Sequence, residues 1–407
     1  MTKNILISGA SVAGPALAWW LHRHGFHATV VERAPSLREG GYKVDIRGVA
    51  VDVVRRMGLL AEVHAASTDM RGAAFVDKRG KELATLDADT FGFRHGDDTE
   101  ILRGDLARIL YDATRGDTEY LFGDWITGLD QRPDGVEVTF AHAAPRHFDL
   151  VVGADGLHSG VRALAFGPEE DYLRRFDAYI SIATVPNSFQ LDRWELLHSA
   201  APGKMVNVYS TARSADAKAA FWFTAPPMPY DRRDVEGQKA IVADRFADLG
   251  WQIPALLEAM READDFYFDP VCQIVMDSLS TGRVVLLGDA GYCASPASGQ
   301  GTSLALVGAY VLAGELAADF SEALTRYESS MRPFIEKNQA LAKTALRGII
   351  PQSRAFAWFN TRMIRLMPYL PGRNRVLEQM SRPIREAANA LELQDYAASA
   401  GDRAPSS

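Results

Sequence analysis

Residues 282–301 constrain this chain more than any other stretch. They read Gly-Arg-Val-Val-Leu-Leu-Gly-Asp-Ala-Gly-Tyr-Cys-Ala-Ser-Pro-Ala-Ser-Gly-Gln-Gly. A short apolar run ends in Gly288-Asp289, a Pro/Gly-rich loop follows, and an apolar helix begins near Thr302. This is a buried strand, a ligand loop and a helix N-terminus in one piece. In open α/β sheets, ligands sit beyond the carboxyl ends of the strands. An aspartate placed there accepts hydrogen bonds from polyol hydroxyls. The loop amides and the helix dipole favour negative charge on a bound ring system. As an isolated dipeptide, Gly-Asp also serves as a plain turn or cap.

A second glycine turn stands near the N-terminus. Gly9, Ser11 and Gly14 match the G-x-G-x-x-G fingerprint, with serine at its second glycine. That chemistry needs a tight turn, close backbone approach to a pyrophosphate, and a helix N-terminus facing the anion. Serine is small, and its hydroxyl is able to donate to a phosphate oxygen. Pro15 fits the first helical turn, where its missing N–H is no loss. Glu32 ends the next apolar run about 20 residues on, where the adenosine ribose lies in such folds. An acid there opposes a 2′-phosphate, so the ligand is NAD or FAD and not NADP. A third apolar run, residues 149–153, ends in Gly153-Ala154-Asp155-Gly156, with Arg162 downstream.

At 407 residues the chain has room for two packed regions. Its net charge of −8 and lack of a basic block argue against a nucleic-acid partner. Two cysteines, Cys272 and Cys293, make neither a disulfide framework nor a metal cluster, and fit a reducing cytoplasm. No metal site is expected. Lys3 before an apolar run imitates a signal peptide, but Gly9, Gly14 and Pro15 interrupt that run too early. Residues 302–320 contain Glu315 and Asp319 and read as a buried helix, not a membrane span.

Patterning predicts strands at Asn4–Ser8 and 28–32 around a helix at 15–24, a βαβ unit. It predicts helices at 49–60, 103–113 and 235–249, and a hairpin over 72–86. Residues 179–185, 205–211, 219–224 and 265–275 predict an antiparallel sheet, and residues 302–393 are mostly helical. Aromatics at 207–209, 221–223 and 266–268 offer pocket walls, with about half expected to fill core. Trp358, Met363, Met367 and Tyr369 read as helix packing.

The three glycine-containing segments, in this order, resemble the single-component (class A) flavin-dependent aromatic hydroxylases with the p-hydroxybenzoate hydroxylase fold. The likeness covers roughly residues 1–320. Gly40-Gly41-Tyr42-Lys43-Val44-Asp45-Ile46-Arg47-Gly48 is more narrowly similar to a stretch of the tetracycline-degrading flavin monooxygenases. The resemblance implies an α/β fold: a Rossmann-like, glutathione reductase-type FAD-binding domain with an inserted antiparallel substrate domain and C-terminal helices. The FAD-binding domain would comprise residues 1–71, 98–165 and 272–325, and the substrate domain 72–97 and 166–271. C-terminal helices would occupy 326–395 and a flexible tail 396–407.

By the same resemblance, Gly9, Ser11, Gly14, Glu32 and Arg33 would hold the ADP half of FAD. Arg103, opening its helix, and Asp45 would reach FAD. Asp155 would support FAD and the transient NADPH or NADH. Asp289 would bind the ribityl or pyrophosphate region, and Pro296, Gly299 and Gly301 would pass beside the flavin. Arg47 would lie near the flavin as the one catalytic candidate, unless it is simply a surface or ion-paired arginine. Tyr209, Phe221, Phe223 and Tyr292 would line the substrate pocket. The chain departs from the family pattern at Gly291-Tyr292, where relatives carry Ala-His.

The implied activity is NAD(P)H-consuming hydroxylation, by molecular oxygen through a flavin C4a-hydroperoxide, of an aromatic or polycyclic phenolic small molecule. The protein would be a cytoplasmic monomer or homodimer. Three other readings stay open on sequence: a reductase of the same fold acting on an isoprenoid or polyene, a flavin-binding accessory protein without turnover, and a plain NAD dehydrogenase.

Overall fold

The computed structural model describes residues 2–37, 40–369 and 371–396. Its first sheet runs Ser280–Thr281, Val284–Leu286, Leu150–Gly153, Asn4–Ser8, His27–Glu32 and Glu119–Phe122. All neighbours are parallel except the first pair. Ser8 pairs with both Gly153 and Val31, so the three glycine- and acid-bearing strand ends fall side by side. Every residue of Leu150–Gly153 and Val284–Leu286 is buried, as expected of strands covered on both faces. The helix Ala13–Arg23 covers this sheet with Leu17 and Leu21 fully buried.

The second sheet has seven strands, in the order Tyr267–Ile274, Leu173–Val185, Ala217–Thr224, Lys204–Ser210, Trp194–Ala201, Gly72–Val76 and Glu82–Asp87. It is antiparallel save for one parallel pair, Trp194–Ala201 with Gly72–Val76. Strand alternation gives this sheet two different faces. Tyr179, Phe221, Phe223 and Phe268 point to one side, into a core closed by the helices Val235–Phe246 and Ile253–Glu262. Ile180, Ile182, Ala220 and Trp222 point to the other, toward a cavity.

The helix Gly301–Ala318 is apolar on all sides, and 78% of it is buried. It is long and apolar enough to cross a membrane but serves as the central core helix. The long helix Ala323–Ile349 packs beside it, and Arg354–Leu366 and Arg373–Ala388 follow.

Several local expectations change. The helix expected over 49–60 breaks after Arg56, because Gly58 takes a left-handed turn at φ +77° before Leu60–Ala65 resumes. The strand Trp194–Ala201 and the helix Ile253–Glu262 had no clear sequence signal. The flexible tail expected at 396–407 lies outside the described residues, except for Tyr396. That residue is buried, donating to Glu315 Oε1 at 2.8 Å, and a Cβ on Gly314 would stand 2.1 Å from its ring.

Candidate active site

The carboxyl ends of the parallel strands open onto one cavity of about 2270 Å³. Drug-sized sites occupy about 300–1,000 Å³, so this space suits a large ligand and a second molecule together. Its walls include the first glycine turn, the Gly288-Asp289 segment and the inner face of the seven-stranded sheet.

At one end, Gly9 has φ +109°, and a Cβ there would lie 2.4 Å from the Ala154 carbonyl oxygen. A Cβ on Gly14 would lie 1.9 Å from the carbonyl oxygen of Gly9. Both positions therefore require glycine for close backbone packing. No side chain caps the helix Ala13–Arg23, so its first amides face the cavity unshielded. Glu32 accepts from the amides of Ala10 at 2.9 Å and Ala34 at 2.8 Å, which holds its carboxylate at the turn. Each oxygen keeps a lone pair for a ribose hydroxyl. Arg103 donates to Ser11 Oγ at 3.1 Å, leaving the serine proton free for an anion. Burial works against the Arg103 charge, but Tyr42, Tyr267 and Asp289 around it hold its pKa above the ordinary value. Arg33 stacks over Trp125 at 5.2 Å on the same wall.

Across the cavity, Gly288 turns at φ +65° and Asp289 opens the short helix Asp289–Tyr292. Enclosure by protein raises the Asp289 pKa, with Arg103 pulling it back down. The loop beyond uses positive φ at Ser295 (+86°) and Gly299 (+65°), then enters Gly301–Ala318, whose N-terminus no side chain caps. Two uncapped helix N-termini thus face one cavity. This arrangement fits FAD: one suits a pyrophosphate, the other electron-rich atoms of a flavin ring.

Arg162 was visible in the sequence only as an arginine after Asp155. It is fully buried and donates to the carbonyls of Ala290 and Leu157, both at 2.7 Å, and to Glu169 at 2.9 Å. It therefore ties the Asp-Gly turn to the Gly-Asp turn. Asp155 itself accepts from Ser159 Oγ and from the Val161 amide at 3.1 Å, and burial raises its pKa. Those bonds shape the turn behind Gly9. His158 bridges Glu169 at 2.9 Å and Asp269 at 2.9 Å.

Arg47 is buried, not on the surface, and pairs with Asp45 at 2.8 Å. Its other amino group donates to the Phe93 carbonyl at 3.2 Å. Asp45 Oδ1 and Arg47 Nε are buried without a hydrogen-bond partner among the described residues. A Cβ on Gly299 would stand 3.9 Å from Asp45 Oδ2, so this pair lies against the loop 295–301. Pro296, Gly299 and Gly301 all line the cavity.

Tyr209 lines the cavity, with Lys43 Nζ 4.8 Å above its ring. Phe221 and Phe223 do not. Alternation turns them into the core behind the sheet and presents Trp222 instead. Tyr292 also leaves the pocket: its hydroxyl meets Tyr327 Oη at 2.9 Å in the core. A polar chain that sequence reasoning missed crosses the cavity wall. Lys43 bonds Glu195 at 2.5 Å, Asn207 Nδ2 donates to Glu195 at 2.7 Å, and Trp222 Nε1 donates to Asn207 Oδ1 at 3.1 Å. The alternating placement of Asn207 and Tyr209 on one strand face was the signal available for it. Cys293 is buried, which pushes its thiol pKa well up and disfavours the thiolate form. Among the described residues, no group of His, Cys, Asp and Glu forms a metal site.

A dinucleotide turn facing an enclosed loop, with a second ligand space beyond, defines a flavoenzyme of the class A monooxygenase type. Residues 2–342 match the FAD binding domain family, and the chain belongs to that family. An uncharacterized protein of Mycobacterium tuberculosis is 49% identical over 354 residues, covering 86% of this chain and 95% of its own. A flavin-dependent monooxygenase of Legionella longbeachae is 41% identical over 344 residues, 83% of this chain and 88% of its own. The crystal structure of tetracycline destructase Tet(55) superposes with a TM-score of 0.84 at 38% identity, covering 97% of this chain and 99% of that one. The protein is an FAD-dependent monooxygenase acting with oxygen on a small molecule. The dehydrogenase, reductase and accessory readings give way to it.

Proposed function

We propose that the protein consumes NADPH or NADH to hydroxylate a polycyclic phenolic compound. The observation that carries this reading is the cavity, whose far wall combines Trp222, Tyr209 and the Asn207 amide with Ile180 and Ile182. Flat aromatic surfaces there suit a fused-ring substrate, and the amide with Glu195 and Lys43 suits its hydroxyls. The similarity to a tetracycline destructase supports a substrate of that shape.

Bound FAD supplies the oxygen chemistry. The amides at the start of Ala13–Arg23, with Ser11 and Arg103, hold the pyrophosphate, and Glu32 and Arg33 hold the adenosine side. Asp289 accepts ribityl hydroxyls, while Asp155 shapes the turn between the two halves. Pro296, Gly299 and Gly301 bring backbone to the ring edge. Arg47, fixed by Asp45, keeps positive charge beside that loop. The inner face of the substrate sheet, with Ile180, Ile182 and Trp222, would shield the ring from water. The FAD-binding parts are residues 1–71, 98–165 and 272–325, with the substrate sheet on 72–97 and 166–271. The protein works in the cytoplasm as a monomer or homodimer.

The test is a screen of polycyclic phenols with purified yellow enzyme, following nicotinamide oxidation and product mass. The expected result is substrate-stimulated oxidation and a product one oxygen atom heavier. A product reduced without added oxygen would overturn the reading.

A further inference from the structure

Trp358, Met363 and Tyr369 read as packing residues in the sequence, yet all three are exposed, Trp358 by 66% and Tyr369 by 82%. They belong to a larger surface. On Arg354–Leu366, the exposed residues Phe356, Phe359, Met363 and Leu366 follow a 3-4-3 spacing, so they form one outward stripe. Val376 and Met380 extend it onto Arg373–Ala388. Residues 354–386 hold seven arginines against Glu378 and Glu386, a net +5. The whole chain carries −8, so the remainder carries −13. Glu386 pairs with Arg382 at 2.6 Å, and Glu378 lies 3.8 Å from Arg385. The other five arginines, Arg354, Arg362, Arg365, Arg373 and Arg375, are exposed and have no carboxylate partner among the described residues.

We propose that this outer face docks on an anionic lipid surface. An apolar stripe flanked by arginines, with tryptophan and tyrosine at its margins, is the pattern of a helix lying in a membrane interface. Arginine stems lie along apolar surface while their guanidinium groups reach lipid phosphates. The charge is complementary to anionic headgroups and opposite to the rest of the protein. A two-fold dimer through the same face is disfavoured, because it would set like-charged arginines against each other. The second helix of the pair is fixed to the body. Asn338 donates to the Ala387 carbonyl at 3.0 Å, His95 meets Ser381 Oγ at 3.1 Å, and a Cβ on Gly48 would lie 2.6 Å from Ala388 O. Asn360, Ile364 and Met367 on another face of the first helix line the cavity, so docking sets the cavity beside the bilayer. The proposal does not depend on the identity of the substrate.

The test is flotation of the FAD-loaded enzyme with vesicles of phosphatidylcholine alone or mixed equally with phosphatidylglycerol. The protein is expected to float with the mixed vesicles only, and high salt is expected to weaken the binding. Arg362→Gln with Arg365→Gln is expected to weaken partition about 25-fold, from ~5-fold per arginine. Phe356→Asp with Phe359→Asp is expected to abolish it. Unchanged flavin content shows that these surface variants fold. Equal binding to neutral vesicles, or none to anionic ones, would overturn the proposal. So would light scattering that shows a dimer which the same variants dissociate.

Discussion

Gly308 and Tyr292 are complementary in shape. A Cβ on Gly308 would lie 2.1 Å from the Tyr292 hydroxyl, which reaches Tyr327 Oη at 2.9 Å. Tyr327 in turn donates to the Leu286 carbonyl at 3.2 Å, on the strand leading to Asp289. Gly291 allows this approach, since a Cβ there would meet Leu286 at 2.9 Å. The Gly291-Tyr292 departure is thus a packing solution behind the loop, not a change in the pocket.

Gly308→Ala should therefore destabilise the protein by about 1–3 kcal/mol through overpacking, despite the better helix propensity of alanine. Tyr292→Phe removes the clashing oxygen. The double variant should lose less stability than the two single losses added, a coupling that urea unfolding of all four proteins will measure.

Lys43 lies between Glu195 at 2.5 Å and Glu100 at 3.4 Å, largely out of solvent. Burial opposes its charge, but the two carboxylates hold its pKa above the ordinary range. Lys43→Met would leave Glu195 buried without a cation, while Glu100 keeps Arg94 at 3.2 Å, with an expected loss of about 3–5 kcal/mol. Adding Glu195→Gln should restore part of it. An equal loss in single and double variants, by denaturant unfolding, would remove Lys43 from this role.

Much of the cofactor end was readable because its chemistry is local. Gly9, Glu32 and Asp289 each sit at or just beyond the end of an apolar run, with Gly14 in the helix turn that follows Gly9, and parallel pairing brings those ends together. The substrate end was not, because it depends on which strand face turns inward. A one-residue difference separates Trp222 in the cavity from Phe221 and Phe223 in the core. Arg162 was hidden for a different reason: its three acceptors, at Leu157, Glu169 and Ala290, include one 128 residues away.

The His158 bridge should make stability depend on pH. Burial alone would lower its pKa, but Asp269 and Glu169 outweigh that and raise it above the ordinary 6.5. Its contribution is full below pH 6.5 and fades as pH rises through the raised folded value. Glu169 has the opposite sign: burial would raise its pKa, but His158 and nearby arginines hold it below 4.5, so its contribution fades on acidification. The stability gap between wild type and His158→Gln should be widest at mildly acid pH and shrink toward alkaline pH. Urea midpoints across pH will measure it, and a pH-independent gap would mean the bridge is silent.

Asp289 and Gly14 test the two walls of the cofactor site separately. Asp289→Ala removes the only side-chain carboxylate on the Gly-Asp turn and a hydrogen bond of charged type, worth about 1.5–3 kcal/mol. FAD affinity should fall by roughly 10- to 150-fold, with little effect on folding, since burial disfavours that charge in the free protein. Gly14→Ala acts differently. Its Cβ would collide with the Gly9 carbonyl at 1.9 Å, so the turn itself must open. That variant should purify colourless, and its melting temperature should not rise with added FAD, whereas Asp289→Ala should still respond at high FAD. The flavin-to-protein absorbance ratio and FAD-dependent melting will distinguish the two. A fully yellow, active Asp289→Ala enzyme would show that the ribityl contact lies elsewhere.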